Sequence, residues 1–233
     1  NGIFSNRSNL FNYKFIKMFN EIINFYKGCE NLNVNSLEDN ITLGQYLEKI
    51  KKTDYFINYH IIPMVSAIWS MPPYEASQMP LTFFLNFFKN HGLFKLKNRP
   101  QWFTVTNRSK TYVSKLLAKI SGEYFKNYEI NKIIRNSNGV KIYYGSESEF
   151  FTYDKVVLAS HADESLKIIS DISDKEKEIL NNFKYKPNKA VIHSDESVMP
   201  KNKNAWFSWN SSLSTGNNEN SSVTYWLNQL QNL

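Results

Sequence analysis

The sequence predicts an α+β/α/β chain, with helices through its first half, then an antiparallel hairpin, then strands alternating with helices. Three observations carry that expectation. Apolar residues recur at helical spacing as far as Ile120, and an Asn138-Gly139 turn joins two β-like segments. After these, Asp154 to Ala159 closes on the unbroken apolar run Val156-Val157-Leu158-Ala159, the pattern of a strand buried on both faces of a parallel sheet.

Each element follows from local pattern. Phe15, Ile16, Phe19, Ile22, Ile23 and Tyr26 lie on one helical face and predict a helix over about residues 12 to 30. Thr42 with Gln45 three residues later is a capping-box signature, so a second helix covers about 43 to 52, and a third starts at Asp54. Ser109 caps a helix carrying Tyr112, Val113, Leu116, Leu117 and Ile120. From Glu123 the period changes to that of strands: a hairpin around Asn138-Gly139, then a third strand from Phe150 to Tyr153. A helix of about 162 to 170 follows His161, and Ser173 with Glu176 caps another that continues to about Phe183. Ala190 to Ser194, Ala205 to Asn210 and Val223 to Gln229 read as strands, with a Ser/Asn-rich loop at 211 to 222.

The stretch from His60 to Trp102 holds the most unusual residue choices. Pro63, Pro72, Pro73 and Pro80 are expected to cut it into short helices, because each ring removes an N–H and disfavours helical geometry in its predecessor. Ile61, Ile62, Met64, Val65, Ile68, Trp69, Met71, Phe83, Phe84, Phe87, Phe88 and Phe94 give those helices an apolar interior suited to a core or to a pocket wall. Arg99-Pro100-Gln101-Trp102 ends the stretch. There an arginine beside an indole can clamp an anionic group, stack on a ring, or serve as a structural partner.

At 233 residues the chain is one large domain or two small ones. The net charge of +7 comes from lysines spread along the chain with only Arg7, Arg99, Arg108 and Arg135, so nucleic acid is not the expected partner. A lone Cys29 excludes an internal disulfide and fits a reducing compartment. No apolar run reaches the length of a membrane span and no signal peptide opens the chain, so a cytoplasmic location is expected. The chain begins at Asn1 rather than Met and stops at Leu233 just after a β-like segment, which predicts an internal fragment of a longer protein.

Several chemistries are missing from the sequence. None of the eight glycines forms GxG, so neither a dinucleotide fingerprint nor a Walker loop is present. His60, His91, His161 and His193 have no zinc-site spacing, no metal is expected, and no GxSxG elbow occurs. Asp163 and Glu164 after His161 read as acids favouring a helix start.

Six ordered blocks nevertheless resemble one family: PMVSAIWSMPP, FFKNHGLFKLKNRPQW, DKVVLASHAD, FKYKPNKAVIHSD, MPKNKNAWFSWN and SVTYWLNQLQ. Together they cover nearly the whole chain and resemble bacterial flavin-containing oxidoreductases of the amine oxidase superfamily, predicted NAD/FAD-binding flavoproteins. The resemblance implies a Rossmann-type FAD domain interrupted by a substrate domain of helices on a mixed sheet, with the GxGxxG unit ahead of Asn1. Residues 1–122 and 171–233 are then substrate-domain portions, and 123–170 belongs to the FAD domain. It also implies FAD contacts at Ile130, matching a P-V-x-x-I pattern whose proline is lost here, and at Ala159, Ser160 and His161, matching V-V-L-A-T-H-A. Relatives carry Gly-Gly-Ser shortly after RPQW where this chain has Thr106-Asn107-Arg108-Ser109, so a close backbone approach there is not carried over. No residue matches a general base.

Trp69, His91, Arg99, Gln101 and Trp102 are the substrate-side candidates. The expected activity is hydride transfer from an apolar amine or an unsaturated lipid-like substrate to flavin. The alternative is a non-enzymatic truncated domain that binds a hydrophobic ligand or a protein partner.

Overall fold

A computed structural model describes residues 6–38, 40–145, 148–213 and 221–231. In chain order its helices are α1 (Tyr13–Asn31), α2 (Leu43–Lys49), α3 (Asp54–Phe56), α4 (Ile62–Trp69), α5 (Pro73–Gln78), α6 (Leu81–Asn90), α7 (Arg108–Leu117), α8 (Ala162–Ile168), α9 (Asp174–Asn181) and α10 (Leu227–Gln231). The strands are β1 (Ile130–Asn136), β2 (Gly139–Tyr144), β3 (Phe150–Tyr153), β4 (Trp209–Leu213) and β5 (Ser221–Tyr225). The fold is mixed, mainly helical with two small antiparallel sheets. Two units form: residues 1–108 with 192–233, and residues 109–191. The expected changes at 122/123 and 170/171 both fall inside the second unit.

The first unit is built around an aromatic core. α1 runs over the expected span and buries Met18, Phe25, Tyr26 and Cys29. α2 is held at its start by the anticipated capping box, Gln45 N–H donating to Thr42 Oγ1 and Thr42 N–H to Gln45 Oε1. Backbone bonds from Leu43 N–H to the Met79 carbonyl and from Leu81 N–H to the Ile41 carbonyl tie the starts of α2 and α6 together. Phe56, Phe84 and Phe88 are fully enclosed, with Phe84 and Phe88 rings 4.2 Å apart and Phe25 edge-on to Phe56 at 5.3 Å. Burial of each such ring contributes about 1.5–3 kcal/mol against an exposed state. Most of the apolar residues between His60 and Phe94 are therefore core.

Pro63 does not break the helix, contrary to the sequence expectation. Residues 57–61 form a π-helical turn between α3 and α4, Ile62 N–H donates to the Ile57 carbonyl, and Ile62 keeps φ −66, ψ −47. Widening the turn ahead of the ring absorbs the missing donor, so the path stays helical from Asp54 to Trp69. Pro72, Pro73 and Pro80 do punctuate as expected. Pro73 opens α5 and Pro80 precedes α6.

The β4–β5 hairpin packs on α4, and the half-turn between Phe207 and Asn210 is fastened by the nearly buried Asn210 side chain. Its Oδ1 accepts from Phe207 N–H and its Nδ2 donates to the Phe207 carbonyl. The strand expected over Ala205 to Asn210 begins only at Trp209, and the one expected over Val223 to Gln229 is β5 followed by α10. Residues 214–220 of the expected loop lie outside the described residues.

In the second unit β1, β2 and β3 form the anticipated antiparallel meander. Gly139 after the turn has φ +122, and a side chain there would run into the Tyr153 carbonyl. α8 packs on β1 through a single parallel bridge, Ile133 to Ile169, and Arg135 ties β1 to the start of α9 through Asp171 and Glu176.

Two strand expectations are overturned here. Residues 154–160 form no strand and pair with none among the described residues, and Val157 is 92% exposed. An apolar run becomes a doubly buried strand only where neighbours supply a ladder on each side, and the described ladders are all antiparallel and elsewhere. Ala190 to Ser194 is likewise unpaired, with Ile192 exposed.

Candidate functional site

Three of the five substrate-side candidates meet in one stack. α4 ends at Trp69, whose indole lies 4.6 Å from the Phe87 ring and 5.6 Å from that of Phe83, both on α6. Phe87 and His91 are one helical turn apart, so their rings stack at 4.0 Å, and the imidazole is fixed by Nδ1 on the Phe87 carbonyl at 2.8 Å. Trp102, returning along the loop after Phe94, lies nearly parallel to His91 at 13° and 6.0 Å. The result is a ladder of rings, Phe83–Trp69–Phe87–His91–Trp102, whose two ends are exposed at 51% and 64%.

Arg99 and Gln101 flank the ladder without joining it. Arg99 Nε donates to the Lys95 carbonyl at 2.8 Å, a local bond that shapes the loop, and Gln101 Nε2 donates to the Trp102 carbonyl at 3.2 Å. Pro100 packs over Gly92, where a Cβ would stand 3.0 Å from the proline ring. The loop that carries Trp102 is thereby held against the end of α6.

The ladder's own unit also holds a pair not singled out in the sequence, because its members are 34 residues apart. Tyr26 Oη lies 3.0 Å from His60 Nε2 and 3.6 Å from Met64 Sδ. Burial pushes the Tyr26 phenol up to about 12, partly offset by the Arg99 charge, and pushes the His60 imidazole down to about 4. Both groups are neutral near pH 7, and the direction of the bond between them is set by the His60 tautomer, the phenol also reaching Met64 Sδ. Phe56 and Phe94 pack against the pair, which braces α1 against the π-helical turn, with Tyr26 buried and His60 half-buried. Cys29 is similarly enclosed, its thiol pushed up to about 12 by burial, and is inert.

The cofactor-side candidates all lie in the second unit. Ile130 begins β1 opposite Tyr144, with a bulge before Lys132. Ser160 Oγ is 2.9 Å from Ser165 Oγ, Ser165 Oγ donates to the His161 carbonyl, and the His161 ring stacks on Tyr185 at 4.2 Å. Ala162 N–H donates to Tyr185 Oη. These groups are engaged with one another, and Ala159 adds no polar side chain. Among the described residues no glycine-rich turn opens a helix to cradle a diphosphate.

No group of three His, Cys, Asp or Glu among the described residues is placed to bind a metal ion. An open surface cleft of about 350 Å³ is lined by Glu38, Asn40, Ile41, Gln45 and Lys49, far in character from an apolar substrate site. No family model matches the chain, and no curated protein matches it.

Proposed function

We propose that the chain supplies the substrate side of an FAD-dependent, amine-oxidase-like oxidoreductase acting on an apolar amine or an unsaturated lipid-like molecule. The ladder Phe83–Trp69–Phe87–His91–Trp102 carries the reading, since it joins three residues chosen from sequence alone into a surface with exposed aromatic ends. Aromatic rings suit an apolar body or a delocalised cation better than a sugar. The six sequence blocks support the same assignment. In this reading Ile130, Ala159, Ser160 and His161 form only the rim of a Rossmann-type cofactor site, and the diphosphate is held elsewhere.

When bound, FAD would accept the hydride. This chain would orient the substrate and exclude water. The test is to purify the polypeptide extended at both ends and record its visible spectrum, then follow flavin bleaching with a panel of apolar amines. Trp102→Ala and Arg99→Ala are expected to slow bleaching without lowering the melting temperature. Absence of flavin absorbance, or wild-type rates in both variants, defeats the proposal. The second reading, a non-enzymatic domain that binds a hydrophobic ligand or protein, is favoured by the second unit. There Ile133 is the buried hydrophobic residue among those described, while Phe183, Val157 and Tyr124 are exposed.

A further inference from the structure

Basic side chains occur throughout the chain, but their excess over acids does not. From Ala76 to Gly122 there are eight Lys and Arg and no Asp or Glu, leaving 20 of the 28 basic residues to balance 21 acidic ones elsewhere. α7 lies inside this acid-free segment, and no residue of it is buried. Counted at 100° per residue, Tyr112, Leu116, Val113 and Leu117 occupy an arc of about 140°, and Ile120 follows in the tight turn just past the end of the helix. Lys115 borders one edge of that arc and Lys110 the other, with Arg108 at the start of the helix and Lys119 in the turn that follows it.

The apolar arc faces water: Tyr112, Val113 and Leu116 are 43–59% exposed, as is Ile120 just beyond it. A ten-residue helix is shorter than the roughly 12–15 residues at which isolated helices become even marginal in water, so its helicity depends on covering that arc.

We propose that α7 is an interfacial helix that docks on an anionic lipid surface, its aliphatic arc entering the acyl boundary and its flanking cations reaching the phosphates. Charge complementarity selects this occupant. A second copy docked arc to arc would bring like charges together along both edges. Single-stranded nucleic acid is bound on stacked rings, whereas this arc is aliphatic apart from Tyr112. Lysine stems beside an apolar face extend to the headgroup level while their ammonium groups stay in water. No described helix is long and apolar enough to cross a membrane, so α7 lies in the plane of the surface. The assignment goes beyond the flavin reading and does not depend on it.

The test is sedimentation of the 233-residue protein with vesicles of phosphatidylcholine alone or with phosphatidylserine added. Binding to the anionic vesicles is expected to be at least about tenfold stronger and to weaken with added salt. Leu116→Ser combined with Ile120→Ser, and separately Lys110→Glu combined with Lys115→Glu, are each expected to reduce it about tenfold or more. Melting temperatures should be unchanged, since the side chains are exposed. Equal binding to both vesicle types, binding to neither, wild-type binding by both double variants, or binding only to a single-stranded oligonucleotide overturns the proposal.

Discussion

The Tyr26–His60 pair makes stability depend on pH in a direction that can be worked out. In the folded chain the imidazole titrates near 4 because burial opposes its charged form, against 6.5 when solvated. Between those values the unfolded chain takes up a proton that the folded chain refuses, so stability rises with pH across the window. The contribution is fully present above about pH 6.5 and is lost as the pH falls toward 4. At 1.36 kcal/mol per pH unit, the roughly 2.5-unit window corresponds to about 3 kcal/mol, a large fraction of the 5–15 kcal/mol typical of a folded domain.

His60→Phe removes the titration and leaves the Tyr26 hydroxyl its contact with Met64 Sδ. Urea unfolding of both proteins between about pH 7 and pH 4 should show the wild type losing about 3 kcal/mol more than the variant. Comparing slopes rather than absolute stabilities removes any packing cost of the new ring. An imidazole NMR titration should place the His60 midpoint near 4. A midpoint near 6.5, or parallel pH slopes for the two proteins, refutes the reasoning.

Other substitutions test the two units separately. Phe84→Ala removes a fully enclosed ring in contact with Phe88 and Phe94. It should cost about 3–5 kcal/mol in denaturant unfolding, and a loss below about 1 kcal/mol would show that the core collapses around the gap. Arg135→Ala removes the hydrogen bonds that, with those from Ser173, hold the Glu176 carboxyl down at about 2. Carboxyl NMR should then show Glu176 rising toward 4.5 and Asp171 rising as well. Because a depressed carboxylate stabilises above its unfolded value and loses that contribution as pH falls through the folded one, the variant should lose less stability in acid. Unchanged titration of Glu176 would refute the pairing. Gly139→Ala forces a left-handed backbone and a clash with the Tyr153 carbonyl. It should destabilise the meander by more than about 1 kcal/mol and speed amide exchange in β3, and exchange at the wild-type rate would exclude that geometry.

Legibility followed the range of the interaction. Capping boxes at Thr42–Gln45 and Ser173–Glu176 need only three residues of separation, and both occur as read. The hairpin is equally local, although its two-residue turn is Ser137–Asn138, one position before the expected Asn138-Gly139, and α1 follows from one apolar stripe. Pro63 was misjudged because its effect depends on whether the preceding turn can widen, which is a property of the packing around Ile57–Ile61 rather than of the proline. The ladder was legible in part. Trp69, His91 and Trp102 stood out as residue types, but Phe87, which joins them, was indistinguishable by sequence from Phe84 and Phe88 in the core.

Val156 to Ala159 marks the limit of sequence patterning. Its composition is that of a doubly covered strand, yet Val157 is almost wholly exposed and no ladder forms among the described residues. A period-free apolar run reports that burial on both faces is tolerated, not that partners are at hand. The exposed arc of α7 poses the same question with charge added. There the cations along both edges restrict what can cover it, whereas the edges of the 154–160 segment carry backbone donors and acceptors that any strand could meet. That asymmetry is why α7 supports a committed partner and the unpaired 154–160 segment does not.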